Sequence, residues 1–316
     1  MRLIFLGSPE FAVPSLRALR AAGHDIALVV TRPDRPRGRS GQPLPTLVKE
    51  VALDLGLQVY QPQRAGAPEA VARLHSMGAD LGVVVAFGEI LSPQLLAATA
   101  QGFINLHASL LPDYRGAAPV NWALIRGETL TGVSVIKLVP ELDAGPILAQ
   151  RQVRVGDDDN AEELEGKLAG AGAEILVDVV NLLACEQHPG RPQPERGGFF
   201  ARKLTKQDGR IDWSLSAEEI RNRVRGLTPW PGAYCEFESD GGRHRVTLLR
   251  TEVVDKTAAP QPHRPGTVIR ADAEGIVVQA GAGFLKITQL KRAGGRAMSA
   301  VDFVHGRHVK SGDRFL

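Results

Sequence analysis

Cysteine is almost absent from this chain. Its 316 residues hold two, Cys185 and Cys235, far apart and in no CxxC setting. That excludes a disulfide framework and a zinc site of the usual spacing, and it points to a reducing compartment. A long apolar run is missing too, with nothing that reads as the roughly 20 consecutive apolar residues of a membrane span. The opening Met1-Arg2-Leu3-Ile4-Phe5-Leu6-Gly7 is too short for a secretory leader, so it reads as a first strand and the expected location is the cytoplasm. No GxGxxG follows that strand, where Gly7-Ser8-Pro9 stands instead, which argues against a nicotinamide enzyme. The acidic run Asp157-Asp158-Asp159-Asn160 lacks the spacing of a calcium loop and reads as a helix cap, so no metal is expected. Charge of one sign is not dominant either, the net value being +3. It is unevenly placed: from Lys206 onward there are 18 Lys and Arg against 13 Asp and Glu, and before it 20 against 22. A basic final third is compatible with an anionic partner without requiring one.

What is present is the composition of a globular protein long enough for two domains. Residues 2–6 form an apolar strand run, a helix carries Phe11, Leu16 and Leu19 to Gly23, and a second strand covers 26–30. This βαβ opening predicts a Rossmann-like, doubly wound, mostly parallel α/β sheet. The continuous apolar run over 80–87 predicts a central parallel strand. A helical pattern runs from about 160 to 183. The Pro- and Gly-rich stretch from His188 marks a linker, giving domains at 1–188 and 206–316 joined through 189–205. Beyond it, short strands at 233–238, 244–253, 266–271, 275–280 and 284–291 predict an OB-like β-barrel, either a plain structural barrel or a nucleic-acid binder.

The chemistry gathers at 103–122. A strand over 102–106 brings Asn105 and His107 out on one face, because side chains at i and i+2 point the same way. Strand C-termini of open α/β sheets are where ligands bind. No Ser or Cys stands by as an enzyme nucleophile. An Asn N–H can hold a developing oxyanion, and a His can polarise a carbonyl or move a proton. The pair therefore suits attack by a substrate's own nucleophile on a carbonyl carbon. Asp143, at the tip of a hairpin between strand runs 132–139 and 147–153 with Gly145 in the turn, is the candidate to orient His107. A second unusual stretch, 31–45, contains four arginines, four prolines and two glycines and leaves no apolar face to bury. A solvated connector is the bland alternative. The arginine density and the length for a βα connection favour a functional loop, and arginine forks suit phosphates and base edges.

Asn105-x-His107-x-Ser109-Leu110-Leu111-Pro112, with Asp143 downstream, resembles the signature of formyltransferases that use 10-formyltetrahydrofolate. The arginine loop and Leu227-Thr228-Pro229-Trp230-Pro231-Gly232 are similar to the branch acting on methionyl-tRNA. The resemblance runs nearly end to end. It implies formyl transfer with Asn105, His107 and Asp143 catalytic, and 10-formyltetrahydrofolate as co-substrate. It places the pterin against Phe87, Gly88, Ile90 and Leu91, which from the residues alone read equally well as a strand-to-helix turn. Ser109, Leu110, Leu111 and Pro112 complete the expected folate site. It also implies an initiator methionyl-tRNA whose acceptor stem meets Arg35, Arg37 and Arg39. Lys291, Arg292 and Arg296 are the candidates for further phosphate contacts. A monomer is expected. The sequence departs from the pattern in Gly-Ser-Pro at 7–9 and in Pro146, where an Asp is common after the glycine. Rival readings are a formyltransferase on a small amine, such as glycinamide ribonucleotide or an amino-sugar nucleotide, a hydrolase releasing formate from the folate, and a catalytically dead nucleic-acid binder.

Overall fold

The computed structural model describes residues 1–36, 41–185, 188–194, 198–239, 242–254, 263–306 and 309–316. Its contacts divide the chain into two compact units. The first comprises Met1–Pro119, Leu130–Arg154 and Glu165–Ala201. The second comprises Val120–Thr129, Val155–Leu164 and Arg202–Leu316.

Seven strands form the sheet of the first unit: β1 (Arg2–Gly7), β2 (Asp25–Val30), β3 (Val59–Tyr60), β4 (Leu81–Val85), β5 (Phe103–His107), β6 (Leu130–Lys137) and β7 (Ile147–Arg154). Their order is β7-β6-β5-β4-β1-β2-β3. The five strands β5 to β3 are parallel, as the βαβ pattern requires, and β6 and β7 continue the sheet antiparallel. All five residues of β4 are buried, the mark of a central strand covered on both faces. Gly82 lies there because a Cβ would fall 2.1 Å from the ring of Phe103 on β5. The sheet changes from parallel to antiparallel at β5, which carries Asn105 and His107, so the strand expected to hold the chemistry sits at the change of direction.

Helices α1 (Val13–Ala21), α2 (Leu47–Asp54), α3 (Pro68–Ser76), α4 (Pro93–Leu96) and α5 (Pro119–Ile125) follow their strands. The long helix α6 (Ala161–Cys185) begins at a reciprocal cap: Asn160 Oδ1 accepts the Glu163 N–H at 3.0 Å, and Glu163 Oε2 accepts that of Asn160 at 2.9 Å. The acidic run before it is thus a capping segment, with Asp159 Oδ2 on the Gly156 N–H at 2.7 Å. By length and composition α6 is apolar enough to cross a membrane, although Glu174 and Asp178 interrupt its apolar stretch. Half of its most apolar window is buried within the protein, with Leu168, Leu176 and Val180 inside, as in a core helix. Residues 188–194 and 198–201, in and beside the stretch read as a linker, belong to the first unit: Arg191 and Ile147 exchange backbone hydrogen bonds at 2.8 Å, and Phe200–Ala201 pairs with Arg115–Gly116.

The second unit is built on β8 (Ala233–Ser239), β9 (Gly242–Val254), β10 (Val268–Asp272), β11 (Gly275–Gln279) and β12 (Phe284–Arg292), paired in the order β8-β9-β12-β11-β10, with β13 (Ala297–Ser299) beside β12. All its ladders are antiparallel. By strand pairing the sheet is open among the described residues. Its two outer strands are tied instead to residues 313–316: Leu316 exchanges backbone bonds with Glu236, and the Val268 N–H donates to the Asp313 carbonyl at 2.8 Å. Phe237, Phe303 and Phe315 fill the interior, their rings 5.6–5.8 Å from Phe237 in edge-on contact. Helices α7 (Ala217–Leu227), which starts at a Ser216/Glu219 capping box, and α8 (Ala300–His305) pack on this sheet.

Candidate active site

At the C-terminal end of β5, the ladder pairs Asn105 with Val84 on one side and His107 with Ser134 on the other. His107 is buried at 6% exposure, whereas Asn105 is half-buried. Among the described residues the Asn105 carboxamide has no hydrogen-bond partner, so its donors are available to a ligand. His107 is hydrogen-bonded through one ring nitrogen and faces a carboxylate with the other. Nε2 lies 2.9 Å from the Tyr114 carbonyl, which can only accept, and this assigns the ring hydrogen to Nε2. Nδ1 faces Asp143 Oδ1 at 3.7 Å. The hairpin between β6 and β7 thus delivers Asp143 to the imidazole, although 36 positions separate them in the chain.

Local backbone fixes both partners. Tyr114, at φ 61°, and Asp143, at φ 50°, adopt the left-handed conformation that non-glycine residues rarely take, and such residues concentrate at functional sites. Asp143 is buried, and its Oδ2 accepts the Gly116 N–H at 2.9 Å. Gly145 closes its loop against Lys137, where a Cβ would stand 1.8 Å from the carbonyl oxygen.

The segment 109–112 is held from beneath. Ser109 is fully buried, and its hydroxyl donates to the Asp113 carbonyl at 2.6 Å. Ser134 Oγ donates to the Ser109 carbonyl at 2.6 Å and accepts the Leu111 N–H at 3.0 Å. Gln150 Nε2 meets the Leu111 carbonyl at 2.9 Å. Leu111 is buried with Ile136 and Ile147, leaving Leu110 and Pro112 half-exposed. Of the expected folate residues, then, the Ser109 and Leu111 side chains support the fold of the segment, and only their main chain can face a ligand. The same holds at 86–91. Phe87 and Leu91 belong to the core, Gly88 turns at φ 77° with the Arg32 guanidinium on its carbonyl, and Ile90 is 81% exposed.

Arg35 is exposed on a two-residue ladder, Arg35–Pro36 with Pro43–Leu44, at the base of the arginine loop. Arg37 and Arg39 lie outside the described residues. Just before the ladder, Asp34 receives Lys49 at 2.6 Å and Gln61 at 2.6 Å, hydrogen bonds that hold its carboxyl below the usual range. In the second unit, Lys291 and Arg292 end β12 and Arg296 is exposed in the turn to β13, so these three share one hairpin end. Sequence reasoning passes over Ser134, Gln150 and Gln193, which hold the loops. Nothing in their local pattern signals this, since each acts through tertiary contacts alone.

Comparison with known proteins decides the family. Residues 1–180 match the Formyl transferase family, and residues 203–308 match the Formyl transferase, C-terminal domain family. The chain is 44% identical to the methionyl-tRNA formyltransferase of Heliobacterium modesticaldum, covering 100% of both chains. The chain belongs to the methionyl-tRNA formyltransferase family. The member from Symbiobacterium thermophilum is also 44% identical, over 100% of this chain and 95% of its own. Among solved structures, the N-formyltransferase from Helicobacter canadensis, in complex with folinic acid and dTDP-3-aminofucose, superposes with a TM-score of 0.66 at 14% identity, over 90% of this chain and 98% of its own. HypX from Aquifex aeolicus, in complex with tetrahydrofolic acid, gives a TM-score of 0.62 at 16% identity, over 96% of this chain and 47% of its own. This chain therefore spans about half of HypX, and at such identities both likenesses are of fold.

Proposed function

We propose that this chain transfers a formyl group from 10-formyltetrahydrofolate to the α-amine of methionine carried by initiator tRNA, with Asn105, His107 and Asp143 performing the transfer. The observation that carries this reading is the accessible, unpartnered carboxamide of Asn105 beside a buried His107–Asp143 pair, in a chain that matches methionyl-tRNA formyltransferases end to end. The residues present fit a folate. A turn at 86–91 offers main-chain groups flanked by the exposed apolar Ile90, the combination a flat heteroaromatic ring needs. Gly88, Leu110 and Pro112 would border it with Phe87, Ser109, Leu111 and Leu91 contributing backbone.

When bound, the co-substrate supplies an electrophilic formyl carbon on N10. The residues of the chain do the rest. Asn105 donates an N–H to the oxygen on which negative charge develops as the amine attacks, and His107 adds to the same field. The Asp143 carboxylate takes up the proton released by the amine and returns it to the nitrogen that leaves, with His107 oriented beside it. The new carbon–nitrogen bond forms on the methionyl amine and the old one to N10 breaks, so the proton count balances. Gly116 and Tyr114 keep the carboxylate and the imidazole in register throughout.

The arginine loop reads the acceptor stem, with Arg39 at its end and Arg35 and Arg37 on phosphates. Lys291, Arg292 and Arg296 supply further backbone contacts. The protein works as a monomer, and the reaction takes place in the cytoplasm, where translation occurs. The test is formyl transfer from 10-formyltetrahydrofolate to charged initiator and elongator methionyl-tRNA by the purified protein. Product on the initiator alone supports the reading. No product on either, with folate bound, overturns the acceptor and leaves a small amine in its place.

A further inference from the structure

Residues 191–194 touch both loops of the site. Gln193 Nε2 donates to the Asp143 carbonyl at 2.9 Å and to the Gly145 carbonyl at 2.7 Å. Its Oε1 accepts from Arg115 Nη2 at 2.7 Å and Nε at 3.1 Å, and Arg115 also donates to the Pro194 carbonyl at 3.2 Å. The carboxamide can face only this way, since carbonyls only accept and a guanidinium only donates. These five bonds hold together three chain segments: Arg115 beside Gly116, whose N–H holds the Asp143 carboxylate; the Asp143 loop itself; and the segment after α6. Two residues upstream, Arg191 Nη2 donates to Gln150 Oε1 at 3.0 Å, while Gln150 Nε2 holds the Leu111 carbonyl and the Ser134 hydroxyl.

We propose that Gln193 is a positioning residue for Asp143, and that residues 191–194 act as a bracket setting the Asp143 loop against the loop that follows β5. The proposal rests on the assignment of Asp143 to proton relay. The physical argument is one of strain. Asp143 sits at φ 50°, a strained conformation that persists only where its surroundings over-determine it. Gln193 grips the backbone on both sides of Ala144, at the carbonyls of Asp143 and Gly145, and Arg115 fixes the gripping amide in its plane. Without it the carboxylate keeps a single tether, the Gly116 N–H, and loses its bearing on Nδ1.

The test uses the full chain and steady-state formyl transfer. Gln193→Ala is expected to lower kcat roughly 10- to 100-fold while both KM values stay within about threefold, since a misplacement near 1 Å costs on that scale. Gln193→Glu, close in shape, keeps Arg115 but as a carboxylate cannot donate to the two carbonyls. It is expected to lose as much, and it answers the question if the alanine variant does not fold. In an Asp143→Asn background the same replacement should cost less than about twofold, because a residue acting through Asp143 has nothing left to position. A Gln193→Ala or Gln193→Glu variant with the parent kcat overturns the proposal, and so does a full multiplicative loss on top of Asp143→Asn. If Asp143→Asn itself keeps the parent rate, the relay assignment has failed, and that one variant tells the two failures apart.

Discussion

Replacing Gly145 with alanine is a sharp probe of how the Asp143 loop is held. The added Cβ would stand 1.8 Å from the Lys137 carbonyl oxygen and 2.9 Å from its carbon. Both are backbone atoms of β6, itself paired with β5 and β7, so the strand cannot yield as a side chain tip would. Real Cβ contacts stay beyond 3.0 Å, so the loop must retreat from β6 by more than 1 Å. That movement breaks the Lys137 N–H bond to the Pro146 carbonyl, now 3.0 Å, and shifts the Gly145 carbonyl from Gln193. Overpacking of this kind costs about 1–3 kcal/mol of stability. Moving a catalytic group by about 1 Å costs on the order of 100-fold in rate. The expected result is a kcat for formyl transfer down by roughly two orders of magnitude, with tRNA affinity near the parent value because the basic residues are untouched. Initial rates at saturating substrates, a filter-binding titration and a thermal melt measure the three quantities. Parent kcat with parent Tm would refute the argument, since the loop would then have room the geometry denies it.

Other outcomes follow from separate parts of the chain. Gly166→Ala, on α6, adds a methyl with nothing within 4 Å and should gain about 0.5–1 kcal/mol in a urea melt with unchanged turnover. Asp208 is held well below the usual carboxylate range, first by Arg202 and then by Thr205, so its contribution is full above the unfolded carboxylate value and lost as pH falls through the folded one. Asp208→Asn should therefore be less stable than the parent at pH 7, with the gap closing as pH drops below about 4 in denaturant titrations. Arg39→Ala should weaken the preference for initiator over elongator tRNA and flatten the salt dependence of tRNA binding; unchanged discrimination would remove Arg39 from recognition.

Much of the fold is legible because its periodicities are strong. The buried run of β4, the parallel opening and the five short strands of the second unit all declare themselves through residue pattern alone. The Asn105/His107 pair is legible for the same reason, since alternation along a strand fixes a shared face. The placement of Asp143 was readable as a turn signal, but the register that brings it to Nδ1 is a tertiary fact. Gln193 could not be found, because it lies in a Pro-rich stretch whose composition matches a linker and whose role exists only through Arg115 and two distant carbonyls. Phe87 and Ser109 show the converse limit. A motif position marks a segment as part of a site without telling which of its side chains turn inward to the core.

The central claim is that Asn105, His107 and Asp143 carry out the transfer. Its most direct test is the single-turnover rate of formyl transfer to initiator methionyl-tRNA, at saturating 10-formyltetrahydrofolate, for Asn105→Ala beside the parent. Loss of one such donor predicts a fall of roughly 100- to 1,000-fold with tRNA affinity intact. A rate within a few-fold of the parent would mean that the unpartnered carboxamide at the end of β5 does not hold the charge that develops there.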